Sequence, residues 1–213
     1  MTLFDHKIST KKPTLYNHDQ AKDNCGFGLI TQLDGIQSHQ LIKTSIDALT
    51  RMTHRGAVSA DGVTGDGCGI QIQLSDLFFK NKAEELGFNI GSRYAIGQIF
   101  LSQDEDKRLY AQRILKEELE KETLTVCGWR EVPVDESVCG QIAKKSQPNI
   151  QQLFIRAPDG WNKNDLERRL FIVRRRAAER IKNDQDYHTC RDMLTIGILK
   201  TCFLMLCVIL FKV

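Results

Sequence analysis

Leu166, Leu170, Val173, Ala177 and Ile181 follow one another at steps of four, three, four and four residues. An α-helix gathers that spacing onto one face, so the pattern predicts a helix between Asn162 and Lys182 with a single buried stripe. A stripe of this kind needs an apolar surface to lie on. The segment before it, "NIQQLFIR" at 149–156, has strand character until Pro158 and Gly160 interrupt it.

The same change of period recurs upstream. "FGLITQL" reads as part of a strand over 25–33 that stops at the turn dipeptide Asp34-Gly35. Ser38 can cap a helix whose apolar face is Leu41, Ile42, Ser45, Leu49 and Met52. A glycine-rich loop follows, and "CGIQIQL" alternates into a second strand. Beyond it the pattern predicts a helix over 75–86, a strand over 93–101, a helix over 104–122 and a strand over 124–131. "VPVDESVCG" contains turn residues. With 213 residues, 41% of them hydrophobic, one substantial core and one domain are expected.

Charge and cysteine usage exclude several classes. The formal charge of +3 is the remainder of 30 basic and 27 acidic side chains spread along the chain, so no nucleic-acid partner is expected. Arg174 to Arg176 read as a solvated helix face. Seven cysteines stand at 25, 68, 127, 139, 190, 202 and 207, with no pair two residues apart. That spacing indicates neither a disulfide framework nor a zinc site, and it suits a reducing, cytoplasmic setting. No apolar stretch of signal-peptide length follows Lys7, Lys11 and Lys12. Residues 1–24 therefore read as a polar leader. The tail "TIGILKTCFLMLCVILFKV" is almost wholly apolar, but its uninterrupted part after Lys200 is shorter than the roughly 20 residues that cross a bilayer. A membrane partner is not expected.

Cys25 carries the chemical question. A free cysteine near a strand start is commonly a small core residue. If the leader were removed after Asn24, however, Cys25 would carry both a thiol and a free α-amino group, whose pKa of about 7.7–8.0 suits a base near neutral pH. Nucleophile and base would then share one residue. Gly26 and Gly28 would let backbone approach closely there, and tight strand packing explains them equally well. The glycines of "DGVTGDGCG" lack the Lys-Ser or Lys-Thr of a phosphate loop and read as a turn into a strand.

"CGFGLI", "MTHRGAVSADG" and "TGDGCGI", in that order, resemble the start of the type II glutamine amidotransferase domain of glutamate synthases. The likeness continues through "LFFK", "EELEKETLTVCGWREVPVD", "IQQLFIRAPDGW" and "LERRLFIVRRRAAERI", and covers roughly residues 20–187. The resemblance implies that Cys25 is a catalytic N-terminal cysteine exposed by removal of residues 1–24. Its thiolate would attack the side-chain carboxamide of L-glutamine, giving a glutamyl thioester and ammonia, and water would then release glutamate. Arg55 and Gly56 match a turn that helps to shape the site, though Arg55 could equally tie that turn to the strand bearing Cys25.

The implied fold is α+β, an N-terminal nucleophile hydrolase with a four-layer αββα sandwich, here incomplete. The mixture of strands and helices is compatible with it. No cofactor is expected in this segment. The resemblance assigns flavin mononucleotide and an iron–sulfur cluster to later domains, where the ammonia would aminate 2-oxoglutarate, and it implies a small-subunit partner.

The same resemblance places an arginine that holds the glutamine carboxylate, an Asn-Gly oxyanion pair and an acidic residue for the glutamine amine at positions later than residue 213. One missing oxyanion donor costs roughly 2.7–4 kcal/mol of transition-state stabilisation, so these 213 residues alone are expected to be inactive. Residues 25–195 form the partial amidotransferase domain in this reading. Residues 196–213 are expected to be out-of-frame translation after a frameshift near 195. Two other functions stay open: a Cys-His hydrolase using Cys25 with His54, and a non-enzymatic remnant or membrane-tailed binding module.

Overall fold

The computed structural model describes residues 27–52, 58–65, 67–183, 196–198 and 207–211. Along the chain these form β1 (Phe27–Ile30), α1 (His39–Arg51), β2 (Cys68–Gln71), α2 (Asp76–Glu85), β3 (Tyr94–Leu101) and α3 (Glu105–Lys121). They continue as β4 (Thr125–Glu131), α4 (Gln141–Lys145), β5 (Asn149–Arg156), α5 (Lys163–Asn183), β6 (Ile196–Ile198) and β7 (Cys207–Phe211). The architecture is α+β, as expected. Every helix and strand expected between 25 and 182 is present, with shorter ends at β1 and β2. The short helix α4 follows directly on the turn residues of 132–140, where no element was read.

The larger sheet orders its strands β4-β5-β3-β6, all antiparallel. Its side chains alternate between two faces, as the pleat demands. Ala95, Ile99 and Leu101 of β3 and Leu153 and Ile155 of β5 face α3 and α5, forming one core with Ile114, Leu115 and Leu119. Tyr94, Ile96 and Phe154 point the other way and pack with Phe79, Ala83 and Ile90 beneath α2. The stripe on α5 is buried throughout, with Ala177 fully enclosed. Each such aliphatic side chain contributes about 1.5–3 kcal/mol when fully buried, so the stripe holds α5 down.

The caps follow local chemistry. Ser38 accepts a hydrogen bond from the N–H of Gln40 at 3.1 Å, and Asp104 accepts one from Lys107 at 3.0 Å. Asn162 accepts from the N–H of Asp165 at 2.9 Å ahead of α5. These bonds satisfy donors that the first helical turn leaves unpaired.

The arginines of α5 do more than meet solvent. Arg169 and Arg176 donate to the Glu122 carboxylate at 2.9 and 2.7 Å, and Arg180 reaches both Glu117 and Glu118. Arg174 instead lies over the ring of Phe171, 5.4 Å from its centroid. Arg176 is exposed, as a solvated face requires, and is also paired with Glu122 at the C-cap of α3, a pairing that one helix's periodicity does not reveal.

The smaller sheet orders its strands β1-β7-β2, with β7 antiparallel to both neighbours. α1 packs against it through Ala48, Leu49 and Met52, which meet Ile70 of β2. β6 and β7 come from the apolar tail, where the sequence was read without elements. No helix among the described residues is long and apolar enough to cross a membrane.

Candidate active site

Cys25, Gly26, His54, Arg55 and Gly56 lie outside the described residues. What the structure fixes is the frame from which they depart. Phe27 and Gly69 both stand opposite Leu210 of β7, so β1 and β2 run in the same direction with their first residues at one edge of the sheet. Only β7 separates them, which sets the two strands about 10 Å apart, twice the usual inter-strand spacing. Gly26 leads into β1 and the segment ending at Gly67 leads into β2. β1 and β2 therefore begin at the same end of one sheet.

Between these segments the chain makes a small loop that is clamped from outside. Val58 and Gly65 form an antiparallel bridge, and Ser59 donates its N–H to the carbonyl of Thr64 at 2.7 Å. Inside the loop, Asp61 accepts hydrogen bonds from the hydroxyl of Thr64 at 2.6 Å and from its N–H at 2.7 Å. The same carboxylate accepts from the N–H of Ile142 at 3.1 Å, while the Thr64 hydroxyl oxygen accepts from Ala143 at 3.2 Å. Two amides at the start of α4 are thereby satisfied by a loop some 80 positions earlier in the chain.

The Thr64 hydroxyl, and after it the N–H groups of Ile142 and Thr64, hold the Asp61 carboxyl well below the usual carboxylate range. An ionised Asp61 is what this arrangement needs, because every group facing it donates. Gly140 makes the approach possible: a Cβ there would stand 2.3 Å from the Thr64 hydroxyl oxygen and 2.6 Å from an Asp61 oxygen. Asp61, Thr64 and Gly140 were not singled out from the sequence. Asp61-Gly62 reads as a turn, but nothing local signals a long-range contact.

Cys127 offers a poor nucleophile. Cys68, Cys127 and Cys139 are free thiols. Burial pushes the Cys127 thiol up, against a smaller opposing pull from Arg156, and the sulfur donates to the carbonyl of Asn89 at 3.2 Å. A thiol held protonated in this way is inert near neutral pH. Among the described residues no group of three or more His, Cys, Asp or Glu side chains could hold a metal ion.

Comparison with known families decides the assignment. Residues 25–201 match the family described as class-II glutamine amidotransferases. The chain belongs to the class II glutamine amidotransferases. The match begins at Cys25 itself.

This amidotransferase chain is similar to the glutamate synthase [NADPH] large chain of Bacillus subtilis (strain 168), 36% identical over 168 residues, which are 78% of this chain and 11% of that protein. It is also 36% identical over 175 residues to ferredoxin-dependent glutamate synthase 2 of Synechocystis, covering 80% of this chain and 11% of the relative. Ferredoxin-dependent glutamate synthase 1 of Arabidopsis thaliana is 39% identical over 153 residues, 71% of this chain and 9% of the relative. The amidotransferase chain thus spans about a tenth of the length of these relatives.

Proposed function

We propose that this chain is the leading part of a glutaminase domain of glutamate synthase type, with Cys25 as its nucleophile. The observation that carries the reading is the family match starting at residue 25, where a cysteine stands. Removal of residues 1–24 would free the α-amino group of Cys25. That amine takes the thiol proton, the thiolate attacks the glutamine carboxamide carbon, and the protonated amine returns the proton to the departing ammonia. Water then cleaves the thioester to glutamate and restores the thiol. Arg55, Gly56 and Gly26 shape the pocket around this residue, and the clamp of Asp61 and Thr64 on α4 steadies the loop between them and β2.

The two sheets support the finer fold reading, a four-layer sandwich. α1 covers one face of the smaller sheet, and α3 with α5 cover one face of the larger, whose other face packs against α2.

In a whole protein of this type the ammonia would aminate 2-oxoglutarate in later domains, with a small subunit as a further partner. Flavin mononucleotide and an iron–sulfur cluster belong there by resemblance, and no step proposed for these residues runs through them. The proposed frame change lies near residue 195, and the family match runs past it to residue 201. Sequencing the coding DNA past codon 185 tests that point: amidotransferase sequence resuming in a shifted frame supports it, and its absence in every frame contradicts it.

The purified 213-residue chain is expected to release no measurable glutamate from glutamine, because the substrate anchors lie in later segments of the family pattern. Clear release would contradict that. If release occurs and survives acetylation of the N-terminal amine, the Cys25–His54 hydrolase reading replaces this one, since only the amidotransferase mechanism needs the free amine.

A further inference from the structure

A polar cleft opens at one end of the larger sheet. It is lined by Asn89, Ser92, Thr123, Thr125, Arg156 and Asp159, among others, with a volume of about 520 Å³. Sites for small molecules commonly fall between about 300 and 1,000 Å³, and this one is lined by hydroxyls, a carboxamide and charges together with Ala157 and Pro158. The register explains its position: Tyr94, Arg156 and Thr125 form the last row of the sheet, and the turns before β3, before β4 and after β5 supply the other lining residues. None of these residues is one of those proposed to act on glutamine, Cys25, Gly26, Arg55 and Gly56.

The charges in the cleft are arranged for a ligand that carries both signs. The stem of Arg156 lies against the backbone of Gly91, where a Cβ would come within 3.1 Å of the arginine Cδ. Among the described residues no carboxylate lies within ion-pair distance of its guanidinium. Asp159, three residues on in the same turn, is held instead by the hydroxyl of Ser92, which donates to one carboxylate oxygen at 3.2 Å. A cation and an anion therefore share one cleft without neutralising each other.

Thr123 adds a second observation. It occupies the position after the C-cap of α3, where the N–H of Leu124 returns to Leu119 and that of Thr123 to Glu120. Glycine is the usual residue there, because the backbone is left-handed; Thr123 holds φ at 59°. A β-branched residue in that conformation is strained, and its side chain lines the cleft.

We propose that this cleft binds a small free α-amino acid, with the carboxylate on Arg156, the ammonium on Asp159 and the flanking hydroxyls completing the contacts. The cleft shares no residue with those proposed to act on glutamine, so the two readings fail independently.

Titration of the full chain with glycine, acetate and methylammonium, followed by ligand-observed NMR, tests it. Glycine is expected to bind, with acetate and methylammonium each at least ten-fold weaker, since each engages one charge only. Arg156→Gln and Asp159→Asn are each expected to weaken glycine by ten-fold or more. Asp159 is exposed, so its substitution leaves the core untouched. Acetate binding as tightly as glycine, absence of glycine binding at millimolar concentration, or unchanged binding in Asp159→Asn would each overturn the proposal.

Discussion

Arg180 of α5 places a guanidinium nitrogen 2.6 Å from the carboxylate of Glu118 on α3, whose side chain is only 1% exposed. The other nitrogen reaches Glu117 at 2.7 Å, and Lys121 supplies a second donor to Glu118 at 2.6 Å. A carboxylate buried in a helix–helix seam is tolerated because two cations face it. Desolvation acts to raise its pKa, but the hydrogen bonds from Lys121 and Arg180 outweigh that effect and hold it low.

Removing one partner should therefore cost more than a surface pair would. Arg180→Ala is expected to destabilise the fold by about 2–3 kcal/mol, below the full cost of an unpaired buried charge because Lys121 remains. Lys121→Ala, at an exposed side chain, should cost under about 1 kcal/mol. Urea unfolding of the two variants separates these outcomes.

The sign of the pH dependence follows. Glu117 and Glu118 both have folded-state pKa values below their ordinary ones, as do Asp61 and Asp76. As pH falls, the unfolded chain takes up protons first, so the contribution is complete above about pH 5 and is lost as the pH drops through the lowered folded values. Thermal midpoints should be flat from neutral pH to about 5 and decline below about 4. A midpoint that rose on acidification would contradict the pairing.

Gly140→Ala should unseat the loop that precedes β2. The new methyl would meet Thr64 and Asp61 at 2.3–2.7 Å, including the backbone nitrogen of Thr64, so the loop must move. The expected loss is about 1–3 kcal/mol. The specific readout is hydrogen exchange: the amides of Ile142 and Ala143 should lose protection while those of β3 and β5 keep it.

Thr123→Gly is expected to stabilise the chain by about 1 kcal/mol, because glycine occupies the left-handed conformation without a Cβ penalty. A denaturation midpoint that fell would show that the threonine side chain contributes more than its backbone costs.

Apart from α4, the elements from β1 to α5 were legible because their signals are local. The stripe from Leu166 to Ile181 and the caps Ser38 and Asp104 need only a few neighbouring residues to be read. α4 was missed because five residues hold no period, and the bonds at its start come from Asp61 and Thr64 in a distant loop. β6 and β7 were missed for a related reason: an apolar run without turn signals does not reveal its partners, and β7 pairs with strands far away in sequence. Cys25 is proposed as the nucleophile on the motif around it. The cleft at Arg156 left no local trace, since three turns separated in sequence build it.

The most direct measurement is made on a chimera in which residues 1–195 replace the matching segment of the Bacillus subtilis relative. The purified chimera would be assayed for glutamate release and its N-terminus sequenced. The expected result is a mature chain beginning at Cys25 whose release falls by at least about a thousand-fold in Cys25→Ala. Activity that persists in Cys25→Ala, or in a chain that still carries residues 1–24, would contradict the assignment of Cys25 as an N-terminal nucleophile.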